Sequence, residues 1–339
     1  MGANVSAIRP AWVVPGGRIA LIGTHLPLPA EGLPHALVGT TDARVVAASP
    51  SAVRLIVPAS AEGGTTAVRV DELPGETAYV EVARPLATGL HQVDSPAFDA
   101  AGRLYVTHSG GRDSKVPVPL YRIGRDGVRE PLALDLPNPT SLAPGPDGHL
   151  YVSSRFEGNV YRVTAQDRAE IYATELGVAT GLAFGRDGAL FVGDRSGTIL
   201  RVDANRHVEP FASLPASVAA FHLAFGPDDC LYVTAPTMAT HDAVYRITPD
   251  RLVDVACDAF GRPQGLAFDA SGQLYVADAL AGAAGLYRVD VTQGAPVPEL
   301  VLTAPSLVGL AFDPDGGLIL AGSDTVWRLE VPLRPLAAS

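Results

Sequence analysis

The chain has 339 residues, with 25 basic against 36 acidic residues and a net charge of −11. That acidity argues against a nucleic-acid footprint, and no apolar run nears the ~20 residues that a membrane span needs. Thirty-five glycines and 29 prolines beside 47% apolar residues predict many short strands and tight turns rather than helices. Cys230 and Cys257 stand in no CxxC or CxxH spacing, which argues against structural zinc. They are expected at opposite edges of one four-stranded unit and hence unpaired. The N-terminus lacks a charged n-region followed by an apolar h-region, so no signal peptide is expected and a cytoplasmic setting is favoured.

Taken in order, residues 1–82 carry short strands at RIALIG (18–23), ALVGT (36–40), ARVVAAS (43–49), AVRLIVP (52–58), TAVRVD (66–71) and AYVEV (78–82). Turns rich in Gly, Pro, Ser and Asp separate them, which predicts a small antiparallel sandwich. Ile8-x-Pro10, Pro15-Gly16-Gly17, Gly23-Thr24, Val38-Gly39, Val57-Pro58 and Gly63-Gly64 carry a resemblance to the IPT/TIG immunoglobulin-like domains. The resemblance implies a spacer or interaction module.

From residue 83 to the C-terminus one phrase recurs: DSPAFDAAGRLYV (94–106), TSLAPGPDGHLYV (140–152), TGLAFGRDGALFV (180–192), FHLAFGPDDCLYV (221–233), QGLAFDASGQLYV (264–276) and VGLAFDPDGGLIL (308–320). Successive copies begin 40 to 46 residues apart, a period of radial or stacked β units. Each holds an apolar strand, a turn, a second apolar strand, a variable loop and a third strand such as LYRI (120–123) or VYRV (160–163), then a weaker fourth. Four strands in each of six units predict a six-bladed β-propeller over 83–339. The last copy ends after its third strand, so VARPLATGL (82–90) is expected to supply the fourth and leave no open edge. The phrase resembles the NHL-repeat and SMP-30/gluconolactonase-like propellers, a group that includes strictosidine synthase-like and phosphotriesterase-like enzymes.

Residues shared by all copies read as scaffold. The six third-strand arginines (Arg122, Arg162, Arg201, Arg246, Arg288 and Arg328) are expected to bond carbonyls between blades. Asp194 and Asp278 are expected to cap the loops that follow them. The site is sought where copies differ. The first position of each copy reads Asp94, Thr140, Thr180, Phe221, Gln264 and Val308, a ring expected at the channel mouth, where propellers bind ligands.

In the gluconolactonase-like family this ring holds a divalent metal through a G-E-x-P glutamate, N-G-L asparagines and a D-G aspartate. Asp94-Ser95-Pro96 matches the first phrase with Asp for Glu; Thr180, Phe221 and Gln264 depart from the others. The resemblance thus implies a divalent metal, calcium or zinc, on Asp94, and the departures put it in question. No nucleotide-binding motif occurs, and no serine-hydrolase elbow or HExxH.

His108 and His222 with Asp94 read as a general acid–base or transition-metal set, or else as rim histidines with ordinary hydrogen bonds. Arg155 and Arg195, near Asn138, form a positive spot for a carboxylate or phosphate, or are solvated loop residues. The loops at 107–118 and 234–242 are expected as walls or lids of the mouth. Two functions remain open. One is a hydrolase of a lactone or ester in which Asp94, His222 and His108 are catalytic. There, Thr140, Thr180, Phe221, Gln264, Asn138, Arg155 and Arg195 bind substrate. The other is a non-catalytic propeller that binds a protein, peptide or glycan through its loop face. Nucleic-acid and membrane partners are not expected.

Overall fold

The computed structural model describes residues 3–336 other than 27, 72, 74–77 and 111–115. Every regular element among them is a strand. Eight belong to the N-terminal region: β1 (Asn4–Arg9), β2 (Trp12–Val13), β3 (Arg18–Thr24), β4 (Ala36–Val38), β5 (Thr41–Ser49), β6 (Ala52–Ile56), β7 (Gly64–Val70) and β8 (Ala78–Val82). β9 (Arg84–Ala87) follows at once.

The repeats form antiparallel meanders, and five of them close as separate four-stranded sheets. The first holds β10 (Ala97–Phe98), β11 (Leu104–Thr107), β12 (Leu120–Ile123) and β13 (Arg129–Leu132). The second holds β14 (Pro139–Pro144), β15 (Leu150–Ser154), β16 (Asn159–Val163) and β17 (Ala169–Ala173). The third holds β18 (Ala179–Phe184), β19 (Leu190–Asp194), β20 (Thr198–Val202) and β21 (Val208–Ser213). The fourth holds β22 (His222–Phe225), β23 (Leu231–Thr234), β24 (Asp242–Ile247) and β25 (Val253–Phe260).

The fifth repeat departs from the expected six separate blades and from a self-standing N-terminal sandwich. Its strands β26 (Pro263–Phe268), β27 (Leu274–Asp278), β28 (Gly285–Val289) and β29 (Glu299–Thr303) run on through β2 into the N-terminal strands, making one twelve-stranded sheet. The cause is β2, which pairs in parallel with both β8 and β29. Its side chains alternate between two cores. Val13 joins the N-terminal apolar cluster, while Trp12 and Val14 pack with Leu286, Leu302 and Leu307 of the propeller.

The expected closure is found. β30 (Gly309–Phe312), β31 (Leu318–Ala321) and β32 (Val326–Leu329) are completed by β9, antiparallel to β32. The segment just before the first repeat and the last strand of the sixth thus share one sheet and cover its edge.

The repeated phrase has a packing logic. The aromatic of one copy's second strand meets the first-strand Phe of the next edge to face, in Tyr151–Phe184, Phe191–Phe225, Tyr232–Phe268 and Tyr275–Phe312, with centroids 4.8–5.3 Å apart. Each adds about 0.5–1.5 kcal/mol beyond the area buried. The second copy has Pro144 in place of the Phe, and Tyr105 instead donates to Asp99 at 3.1 Å. The turn aspartates nucleate the hairpins: Asp99, for example, accepts from the amides of Ala101 and Arg103 at 3.0 and 2.9 Å.

The six arginines are structural, but their partners are carboxylates more than carbonyls. Arg162, Arg201, Arg246 and Arg328 each bridge their own turn aspartate (Asp147, Asp187, Asp228 and Asp313). Arg122 binds Glu130 at 2.7 Å and, across the sheet boundary, Asp167 at 3.1 Å. Arg288 binds Glu299 at 2.5 Å. A planar fork over a half-buried strand favours carboxylates, and the fourth strands and turns supply them.

Candidate functional site

The channel end is shaped by an irregularity in the first strands. Pairing jumps from Pro139–Ser154 to Leu142–Val152, from Ala179–Asp194 to Leu182–Val192, and from Pro263–Asp278 to Leu266–Val276. Each is a bulge over the first two positions of the repeat, and a bulge re-aims the side chains it holds.

The first position therefore does not line an open mouth as expected. Thr180 donates its hydroxyl to Gly193 O (2.9 Å) and accepts from Phe221 N (3.0 Å), so its oxygen is spent in the wall. Thr140 Oγ1 donates to Asn138 O at 3.4 Å, and Asn138 and Thr140 are both buried. Gln264 is 7% exposed, and its backbone carbonyl accepts from Thr234 Oγ1 at 2.6 Å. Phe221 is a correction to the expected substrate contact. It is fully buried among Phe191, Leu231 and Val233, against Gly193, where an added Cβ would lie 2.6 Å from Phe221 Cβ. Its own register has no bulge, and the missing side chain at Gly193 makes the space that takes its ring.

The axis is instead crowded at the second position: Ser95, Ser141, Gly181, His222, Gly265 and Gly309. A Cβ on Gly265 would stand 2.5 Å from both Gly309 Cα and Ser95 Oγ, and one on Gly309 would stand 2.5 Å from Ser95 N. These copies need glycine because neighbouring first strands converge there. The fourth copy alone carries a large side chain, His222, and its imidazole spans to the first copy, where Nδ1 lies 2.5 Å from Asp94 Oδ1. Both residues are buried, at 2% and 4% exposure. Asp94 Oδ1 also accepts from Ser95 N at 2.5 Å.

Among the described residues, the buried side-chain polar atoms with no partner are Gln92 Oε1, His108 Nδ1, Ser109 Oγ, Arg155 Nε and His222 Nε2. All five stand on the loop face, at the starts of first strands or just past second strands. Bonds to backbone carbonyls and one β-bridge hold four of these residues in place. His91 and His108 form a β-bridge, Ser109 N donates to His91 O (2.9 Å), Gln92 Nε2 to Gly322 O (3.0 Å), and Arg155 Nη2 to Gly110 O (3.1 Å). Gln92 and Ser109 lie outside the repeat phrase and carry no signal in it. They were legible only as polar residues beside the Asp94 and His108 positions.

Arg155 and Arg195 stay close enough to repel, and burial, followed by Arg195, pulls the Arg155 guanidinium below the usual arginine range. Arg195 donates to Ser217 O and Val218 O, while Arg155 lies 4.7 Å over the Phe156 ring. Asp194 and Asp278 are the expected loop caps. Asp194 accepts from Val178 N at 2.8 Å, and Asp278 accepts from the amides of Gly261, Arg262 and Leu280. The loop at 107–118 was expected as a wall; its residues 111–115 lie outside the described residues.

The donor set does not fit a hard divalent cation. One carboxylate is present, already bonded to His222 and Ser95, and the neighbouring Thr180 oxygen is spent. Among the described residues no three His, Cys, Asp or Glu side chains converge for a metal. Calcium wants six to eight oxygens and zinc three or four convergent ligands. A concavity of about 360 Å³ lies on the opposite face, lined by Arg84, Arg125, Asp126, Arg328 and Glu330. Arg125 and Arg328 are neutralised there by Asp315, Asp313 and Glu330, so the unspent polar groups are at the mouth, not in that hollow.

No family model and no curated protein matches the chain. Solved structures do. A gluconolactonase from Xanthomonas campestris superposes with a TM-score of 0.60 at 17% identity, covering 90% of this chain and 98% of that one. An auxiliary nutrient binding protein from Bacteroides thetaiotaomicron gives 0.58 at 13%, covering 98% of each chain. A catalytically inactive histidine-to-alanine variant of virginiamycin B lyase from Staphylococcus aureus, with quinupristin, gives 0.54 at 17%, covering 79% and 88%. At these identities the likeness is one of fold, an all-β propeller.

Proposed function

We propose that the protein binds and hydrolyses a small lactone or ester at the loop-face mouth, with His222 as proton-transfer group and Asp94 orienting it. We count β26–β29 as a blade, giving six, and read residues 1–82 as an immunoglobulin-like module ahead of the propeller at 83–339. The observation that carries the function is the buried His222–Asp94 pair, whose far nitrogen, Nε2, has no protein partner. With Nδ1–H donated to Asp94, Nε2 bears the lone pair. It takes a proton from water as that water attacks the substrate carbonyl, and returns it to the departing alkoxide as the C–O bond breaks. His108 Nδ1, buried and unpaired, supplies the second proton-transfer position. No step runs through a metal, because the donors do not fit one.

Turnover of a lactone and ester panel tests this reading. His222→Gln should lower kcat/KM by about 100-fold or more, and Asp94→Ala should do the same and alter the pH profile. No turnover by the wild type, or an unimpaired His222→Gln, overturns it. The second reading, a binding propeller without turnover, is favoured by one observation: the nutrient binding protein matches 98% of this chain, N-terminal strands included.

A further inference from the structure

The loop face has two unlike halves. On the side of the sixth, first and second repeats lie the unpartnered Gln92, His108, Ser109 and Arg155 atoms. On the side of the second to fifth repeats lies an arc of exposed apolar side chains: Phe156 (38%), Val178 (37%), Val218 (37%), Met238 (88%) and Leu280 (42%). The arc is stitched together by its backbone. Arg195 N donates to Val178 O (3.2 Å), Arg195 Nη2 to Val218 O (2.8 Å), and Val218 N to Pro236 O (2.9 Å), two residues before Met238. Leu280 follows the Asp278 cap in the next repeat.

Arg155 sits where the halves meet. Among the described residues it is partly buried, has Nε unpaired, and bonds a backbone carbonyl and an aromatic face. It makes no ion pair among the described residues, although acids outnumber bases 36 to 25 and the six scaffold arginines all hold carboxylates. A desolvated cation without a counter-ion is costly, and an incoming anion removes that cost. Arg195 stands beside it but already donates to the carbonyls of Ser217 and Val218, so Arg155 is the guanidinium with an N–H left to give, and one unspent donor group favours a carboxylate over a phosphate dianion.

We propose that the mouth takes an amphipathic monocarboxylate, its anionic end on Arg155 and its apolar body along Val178, Val218, Met238 and Leu280. This names the ligand class for the site of the hydrolase reading and rests on that reading only for what happens to the ligand once bound. Calorimetric titration of the whole chain with decanoate, acetate and decanol tests it without any turnover. Decanoate should bind, while acetate, which lacks the body, and decanol, which lacks the charge, should each bind at least about 10-fold more weakly. Arg155→Gln should lose about 10- to 100-fold in decanoate affinity. Met238 is so exposed that Met238→Asp leaves the core untouched; loss of the apolar contact and the added negative charge should weaken decanoate several-fold and should weaken the residual decanol binding too. Absence of decanoate binding, equal binding of decanol, or decanoate affinity unmoved in both variants overturns the proposal. Binding as described without hydrolysis of any ester or lactone removes only the hydrolase reading.

Discussion

Gly309→Ala is the sharpest probe of the closed ring of first strands. The added methyl would meet Ser95 N at 2.5 Å, well inside any real Cβ contact, and the obstacle is backbone rather than a flexible side-chain end. One strand must move, and overpacking of this kind costs about 1–3 kcal/mol. At ~2 kcal/mol, and about 2–4 °C per kcal/mol for a large domain, the melting midpoint should fall by about 4–8 °C. The displaced Ser95 carries Asp94 with it, so turnover should fall as well. Gly148 is the control: its φ is +78° and nothing lies within 4 Å of an added Cβ. Asn tolerates that left-handed backbone, so Gly148→Asn should cost little, whereas Gly309→Asn should cost more than Gly309→Ala. Thermal unfolding followed by circular dichroism decides. A Gly309→Ala midpoint within 1 °C of wild type, or equal losses for the two asparagine variants, would refute the convergence argument.

Three further outcomes are expected. In a double-mutant cycle on Asp94 and His222, each single alanine variant should cost about 3 kcal/mol, because it strands a buried polar partner. The double variant should cost less than the two together; strict additivity would mean the pair is uncoupled. Burial followed by Asp228 pushes the Cys230 thiol up to about 11, and burial raises Cys257 as well. Ellman's reagent at pH 8 should therefore label neither thiol until urea is added, and native labelling would contradict the packing. Asp99, Asp187 and Asp228 are pushed upward by burial, but their hydrogen bonds and arginine partners outweigh it and hold each below the usual carboxylate range. Their contribution is thus complete above the unfolded value near pH 4 and is lost as pH falls through the lower folded values. Urea midpoints should fall below about pH 4, less steeply in Asp228→Asn; a rise in stability on acidification would contradict this.

Much of the fold could be read because each copy of the phrase restates one packing solution. Phe184 implies Tyr151 beneath it, and Asp187-Gly188 implies the hairpin. The closure by residues 82–90 followed from counting strands. The site was harder to read for a reason of parity. Side chains alternate along a strand, so a bulge at Thr140–Ser141, Thr180–Gly181 and Gln264–Gly265 exchanges what the first and second positions face. Nothing in a single copy announces that bulge. The available clue was the run of Ser and Gly at the second position, broken by His222 alone. The burial of Phe221 is illegible for a related reason: its socket, Gly193, belongs to the preceding copy. β2 escaped notice because two residues of Ala11-Trp12-Val13-Val14 carry no measurable period, and only their tertiary partners make them a strand.

The pairing of β2 with β29, and of β9 with β32, also sets an order of assembly. Both strands are made well before their partners, which lie far downstream in the chain. Until β29 has left the ribosome, β2 is the open edge of the N-terminal strands, and the sheet that β9 completes does not exist. The nascent chain must therefore hold a nearly finished ring ajar, with long-range contacts paid for in loop-closure entropy before they are rewarded. Chains arrested before β29 should engage holdase chaperones and scatter light on release, whereas chains arrested after β32 should not.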